Sequence, residues 1–224
     1  MSEFLHGNLS PWGYIYDAET LPDLITATDF TNYTNGKFGT TDTRIATNIA
    51  SASASVRNFC GWHISPNLTC GMLYNVKDLR DAFVGSDLII QLPAMFVTSV
   101  DKVVINAHMN SDTGEYEGDE VDPDDIECSM GSGIVRIFDV GCVDRKSKIF
   151  IKYNAGYSDA QISAIKELLS NGVTRALTSS YGVTSEAAGG VSVSYNSSWA
   201  GRGSTALTDD TREVLETYKV KGVF

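Results

Sequence analysis

Between residues 41 and 66 the sequence reads TDTRIATNIASASASVRNFCGWHISP. Its apolar residues are Ile45, Ile49, Ala52, Val56, Phe59 and Cys60, spaced by four, three, four, three and one. Those intervals put them on one face of an α-helix. The opposite face is Ser, Thr, Asn and Arg. Thr41 and Asp42 offer side-chain oxygens to the first-turn N–H groups. Gly61 suits a left-handed stop, Pro66 blocks continuation, and Trp62 follows as an anchor. The face is rich in Ala and Ser, so a neighbouring helix can approach closely. A stripe this long has to be covered, which makes it the core helix of a helical domain.

A second helical stripe comes late in the chain. Ser158-Asp159-Ala160-Gln161 matches a capping box, in which Ser and Gln satisfy each other's backbone N–H. Ile162, Ile165, Leu168, Leu169, Val173, Ala176 and Leu177 follow at helical spacing. Gly172 interrupts them, at about 1 kcal/mol relative to Ala. Between the two stripes, residues 68–153 read as β. The runs 88–92, 100–107, 133–140 and 148–156 are short and rich in Val, Ile, Phe and Tyr, with spacing that suits an antiparallel meander or small barrel. The expected fold class is therefore α+β: a small α-helical bundle with an inserted antiparallel β region and extended terminal arms. The helical domain takes residues 1–67 and 154–224, and the inserted β domain takes 68–153.

The remaining segments are shorter. Residues 1–25 read as an extended arm rich in Trp and Tyr that packs on its own domain. Thr28 starts a short helix, with Asp29 in its first turn and Phe30 and Tyr33 on its apolar side, and Asn35-Gly36 ends it. In 179–205, Val191, Val193 and Tyr195 alternate with serines, which reads as one strand in a Gly/Ser-rich connection. Such a strand can add to a sheet edge in its own subunit or another. Thr208 caps a last helix, with Asp209 and Asp210 in its first turn and Val214, Leu215 and Tyr218 on one side. The tail KVKGVF is basic and apolar. There are no internal repeats and no heptads.

A chain of 224 residues builds one large domain or two small ones. No apolar run is long enough to span a bilayer, and the N-terminus has no signal-peptide pattern, so the expected site of synthesis is the cytosol. Four Asn-x-Ser/Thr triplets then read as chance matches. A net charge of -11 argues against binding nucleic acid through its phosphates. Cys60, Cys70, Cys128 and Cys142 form no C-x-x-C pair and are expected as reduced, mostly buried thiols, with a Cys60 to Cys70 bridge left open. Residues 112–127 hold nine acids and no base. The oxygens do not fall at EF-hand positions, so a solvated acidic hairpin loop is expected. No hydrolase, metalloprotease or nucleotide-binding signature is present. Cys60 and His63 share a helical turn, but no oxyanion donor or third member accompanies them. No catalytic residue, cofactor or metal is expected.

The order of several motifs resembles the bacteriophage head-to-tail connector proteins of long-tailed phages, also called adaptor or head-completion proteins. The residues that carry the resemblance are Thr28-Asp29-Phe30, the Ala/Ser-spaced helix from Ile45 to Val56, and Cys60-Gly61-Trp62-His63. Tyr153-Asn154-Ala155-Gly156-Tyr157, Gly182 to Glu186, Gly190 to Tyr195, Leu207-Thr208 and Tyr218 continue the series. The resemblance implies a virion structural protein without enzymatic activity, made in the host bacterial cytoplasm and placed at the capsid vertex or neck. It implies a ring of identical copies, commonly a dodecamer, that docks on the portal protein. Such a ring extends the DNA channel without sequence-specific binding and carries the next neck or tail-completion protein. The partner-docking arm would then hold Val191, Val193, Tyr195, Trp199, Tyr218 and Phe224. Two other readings compete: a carbohydrate- or calcium-binding β module on a helical carrier, and a Cys–His hydrolase using Cys60 and His63.

Overall fold

The computed structural model describes residues 8–10, 12–18, 20–39, 43–141, 143–178, 185–188, 191–194 and 207–220. The chain divides into two compact units. The first gathers residues 1–22, 60–161 and 218–224; the second gathers 23–59 and 162–217.

The first unit is built on antiparallel strands: β1 (Asn8–Ser10), β2 (Gly13–Ile15), β3 (Leu68–Asn75), β4 (Phe83–Val84), β5 (Asp87–Gln91), β6 (Val97–Met109), β7 (Tyr116–Glu120), β8 (Ile126–Ser129), β9 (Ile134–Ile137) and β10 (Lys148–Ala155). They form a six-stranded sheet in the order β1-β2-β3-β10-β6-β7 and a four-stranded sheet in the order β4-β5-β9-β8. β10 lies between β3 and β6, and Ile149, Phe150, Ile151 and Tyr153 are all buried. A central strand covered on both faces needs no polar alternation, which is why the run from Lys148 shows so little of it. On one face Phe150 stacks on Tyr116 at 4.4 Å between ring centres, beneath Tyr14 and Tyr16. Burial, with Tyr14 and Glu115 adding to it, pushes the Tyr16 phenol up to about 12.

The N-terminal arm packs on its own unit, as a strand. Ile15 pairs with Cys70 and Tyr14 with Gly71. Gly13 sits at φ +106, where an added Cβ would lie 2.5 Å from the Gly71 carbonyl oxygen, so only glycine fits there. Toward the other end of the sheet the register of β6 against β10 shifts. There the Asn154 side-chain amide donates to Ser99 Oγ at 2.9 Å and Asp101 Oδ2 at 2.8 Å, which ties down the irregular stretch.

The second unit holds α1 (Ala27–Tyr33), α2 (Thr43–Cys60, except its last residue), α3 (Ser163–Thr178), α4 (Asp209–Leu215) and an antiparallel pair of β11 (Ser185–Ala188) and β12 (Val191–Ser194). The α2 stripe is buried at Ile45, Ile49, Ala52 and Val56, and the α3 stripe at Ile165, Leu169 and Val173. Phe30 of α1 and Leu215 of α4 are fully buried. α1 meets α3 through Tyr33 Oη, which donates to Asn171 Oδ1 at 3.0 Å, and through Lys166 at 3.4 Å from Asp29. Arg57 is buried on α2; burial lowers its guanidinium to about 10, and Asp23 offsets part of that shift.

The expected helical bundle with a β insertion is not the fold. The two large antiparallel sheets dominate, and the described residues form four α-helices, two of them only seven residues long. The error has a physical source. β1, β2 and β4 are two or three residues long, and β7 has three acids and a glycine after Tyr116, so none carries a strand's apolar alternation. Two further details differ. Ser185–Ala188 pairs antiparallel with Val191–Ser194, two strands where a single strand was expected. The cap of α1 is Thr26 rather than Thr28: Thr26 Oγ1 accepts from the Asp29 N–H, and Asp29 accepts from the Thr26 N–H, closing a capping box. The expected caps of α2, Thr41 and Asp42, lie outside the described residues.

The Thr26 N–H holds the Asp29 carboxyl below its usual range, with Lys166 adding to the effect. A carboxyl lowered in this way contributes stability above its unfolded pKa, and loses it as pH falls through the folded value. Asp29→Asn is expected to lower stability by about 1 kcal/mol at neutral pH. The deficit should shrink as pH falls below about 4, near the unfolded value. Denaturant titrations of both proteins at a series of pH values check this.

Candidate functional site

The residues quoted for the resemblance lead to a hub at the end of α2. Gly61 ends the helix at φ +78, with open space where a side chain would stand. The next residue, Trp62, is fully buried. Its Nε1–H donates to the Tyr218 carbonyl oxygen at 2.6 Å, and the Val220 N–H donates to the Cys60 carbonyl at 3.0 Å. The Trp62 ring lies 5.6 Å from Tyr157, which stacks on Phe96 at 4.8 Å and meets Tyr218 edge-on at 5.6 Å. Tyr157 also donates its N–H to the Ile64 carbonyl at 2.8 Å.

His63 ties the same region together. Its Nε2 lies 2.9 Å from the Ala155 carbonyl oxygen and 3.1 Å from that of Pro66. Two carbonyl neighbours require Nε2 to carry the hydrogen, since carbonyls only accept. That nitrogen therefore cannot take a proton from Cys60, whose thiol is fully buried. The arrangement is that of a clamp between the 63–66 turn and the end of β10. The bridge left open between Cys60 and Cys70 is not formed, and Cys128 is also outside any disulfide. Burial pushes the Cys70 thiol up to about 12, which keeps it protonated and unreactive.

The acidic stretch is not one solvated loop. Asn110 Oδ1 accepts from the Asp112 and Thr113 N–H groups and shapes a tight turn. Tyr116–Glu120 then pair with β6 as β7. Asp122 Oδ1 accepts from the Asp124 N–H at the start of a single 3-10 turn before β8. Among the described residues no group of three or more His, Cys, Asp or Glu is placed to hold a metal ion.

The residues expected in a docking arm fall in three places. Val191 and Val193 lie in β12. Tyr195, Trp199 and Phe224 are outside the described residues. Tyr218 packs within its own unit, against Trp62 and Tyr157. Phe96 and Tyr157 were missed as members of the hub. The Tyr-Asn-Ala-Gly-Tyr run was visible, but nothing local tells that Tyr157 faces Trp62. Among the described residues no helix is long and apolar enough to cross a membrane. No family model matches this sequence, and no curated protein matches it.

Proposed function

We propose that the chain is a structural subunit of a bacteriophage head-to-tail connector, a non-enzymatic protein of the virion neck. The observation that carries the proposal is the meeting of its two most distinctive motifs. Cys60-Gly61-Trp62-His63 and Tyr153-Asn154-Ala155-Gly156-Tyr157 are far apart in sequence, yet His63 bonds the Ala155 carbonyl and Trp62 packs on Tyr157. A motif pair that builds one structural joint is what a scaffold protein needs, and the joint offers no reactive thiol or free imidazole base at Nε2. The subunit assembles with copies of itself into a ring, commonly a dodecamer in the family it resembles. The ring docks on the portal protein and carries the next neck or tail-completion protein. A charge of -11 favours a channel wall that repels DNA rather than holding it in transit.

The carbohydrate- or calcium-binding alternative has less behind it, because the acids it relied on are drawn into β7 and two backbone-bonded turns. Mixing the purified chain with assembled portal, followed by electron microscopy, tests the connector proposal. A ring stacked on the portal is the expected image. A chain that never binds portal and forms no ring would overturn it.

A further inference from the structure

The sequence holds two Asn-Gly dipeptides, Asn35-Gly36 and Asn171-Gly172. Asn before Gly is prone to ring closure onto its own backbone, because glycine has no Cβ to obstruct the approach to its nitrogen. Both asparagines are exposed, yet the fold places them differently. Asn171 and Gly172 lie in the middle of α3, where the helical ladder engages the Gly172 N–H and fixes the backbone on both sides. Asn171 Oδ1 also accepts from Tyr33 Oη. Asn35 and Gly36 instead form the left-handed stop of α1, at φ +52 and +74. The Gly36 N–H donates to the Thr31 carbonyl at 2.9 Å and the Asn35 N–H to the Asn32 carbonyl at 3.1 Å, the paired bonds of a Schellman stop. The chain then folds back over α1. Thr31 Oγ1 donates to the Phe38 carbonyl at 3.3 Å, and the Phe38 ring stacks on the buried Phe30 at 5.7 Å.

We propose that Asn35 is a site of spontaneous deamidation, gated by fraying of this turn, while the same dipeptide at Asn171 is held intact by α3. The Gly36 backbone nitrogen attacks the side-chain carbonyl carbon of Asn35. A C–N bond forms and closes a five-membered succinimide. The bond to the side-chain nitrogen breaks, and that nitrogen leaves as ammonia with the proton given up by the Gly36 N–H. Water then opens the ring at one carbonyl or the other, leaving an aspartate or an isoaspartate at position 35. The nitrogen cannot attack while its hydrogen is bound to the Thr31 carbonyl, so the reaction waits for that bond to open. α1 has seven residues and α3 has sixteen, and the end of a short helix opens at a far lower free energy than the middle of a long one. The product acts on the turn that formed it. Its new carboxylate stands at the C-terminal end of α1, where the helix dipole disfavours negative charge. An isoaspartate also routes the main chain through one more carbon, which upsets the spacing that returns Phe38 to Phe30.

The test uses the full chain, incubated at mildly alkaline pH. Peptide mapping by mass spectrometry and an isoaspartyl methyltransferase assay follow each asparagine. In the native chain Asn35 is expected to react at least about tenfold faster than Asn171. In denaturant the two are expected to react at similar rates, because the dipeptides are then alike. Phe38→Ala loosens the turn without touching either dipeptide. It is expected to speed the reaction at Asn35 by about threefold or more and to leave Asn171 unchanged. Circular dichroism reports whether that variant is folded, and the comparison of native with denatured chain decides without it. A native chain in which Asn171 reacts as fast as Asn35, or in which neither reacts, overturns the proposal. So does a difference that persists in denaturant, or a rate at Asn35 that the folded Phe38→Ala variant leaves unchanged.

Discussion

Trp62→Ala is expected to lower the stability of the first unit by about 3–5 kcal/mol, the usual range for truncating a buried Trp. The side chain is fully buried, touches Tyr157, and donates its indole N–H to the Tyr218 carbonyl. Its loss leaves a cavity and also an orphaned carbonyl acceptor. The C-terminal segment should suffer most, because the Trp62 indole bond to Tyr218 acts there together with the Val220 N–H bond to Cys60 and the Tyr218 ring contact. Amide exchange at 218–220 should therefore rise more than in the centre of β10. Trp62→Phe keeps much of the volume but loses the donor and part of the ring, so a smaller effect of about 1–2 kcal/mol is expected. Denaturant unfolding followed by exchange mass spectrometry separates the two. If the Ala variant unfolds at the wild-type midpoint and the tail exchanges no faster, the hub does not hold the C-terminus.

The second large effect is expected at Gly156. This residue has φ +130, a conformation that L side chains rarely adopt, and an added Cβ would lie 2.2 Å from the Pro66 carbonyl oxygen. Backbone strain of this kind is worth about 1–3 kcal/mol before any clash is counted. The clash is with main chain, which cannot swing aside as a side-chain tip can. Gly156→Ala should thus destabilise by about 3 kcal/mol or more once both effects are combined. It should also disturb His63, which bonds the Ala155 and Pro66 carbonyls on either side. Gly172→Ala provides the opposite sign. Gly172 lies inside α3, and the nearest atom to an added Cβ is Arg175 Nη2 at 4.0 Å. There the same substitution is expected to stabilise by about 1 kcal/mol, through helix propensity. Thermal melts of the two variants side by side would show whether the midpoint moves down in one and up in the other; equal shifts would refute the argument.

Much of the local structure could be read before any coordinates. The α2 stripe is buried at Ile45, Ile49, Ala52, Val56 and Cys60, and Gly61 takes the left-handed conformation expected of a stop. Thr208 caps α4 by accepting from the Thr211 N–H. Gln161 reaches back to the Ser158 N–H at 2.8 Å, although regular helix begins only at Ser163. These features depend on residues within one or two turns of each other. The β architecture was less legible. β7 carries four acids or glycine after Tyr116, and its pairing with β6 depends on a bulge near Asn106, which sits at φ +55. No periodicity marks such a strand.

The hub was legible in its members and not in its purpose. Cys-Gly-Trp-His and Tyr-Asn-Ala-Gly-Tyr stood out as motifs, and the position of Trp62 past a helix end suggested an anchor. What it anchors is the chain's own Tyr218, a residue more than a hundred and fifty positions away. Helix faces, caps and turn glycines follow from neighbours along the chain, because propensity, capping and periodicity are short-range forces. Which strand becomes central, whether an acidic run forms a loop or an edge, and where the C-terminal turn docks depend on long-range burial and pairing, which only the folded chain brings together.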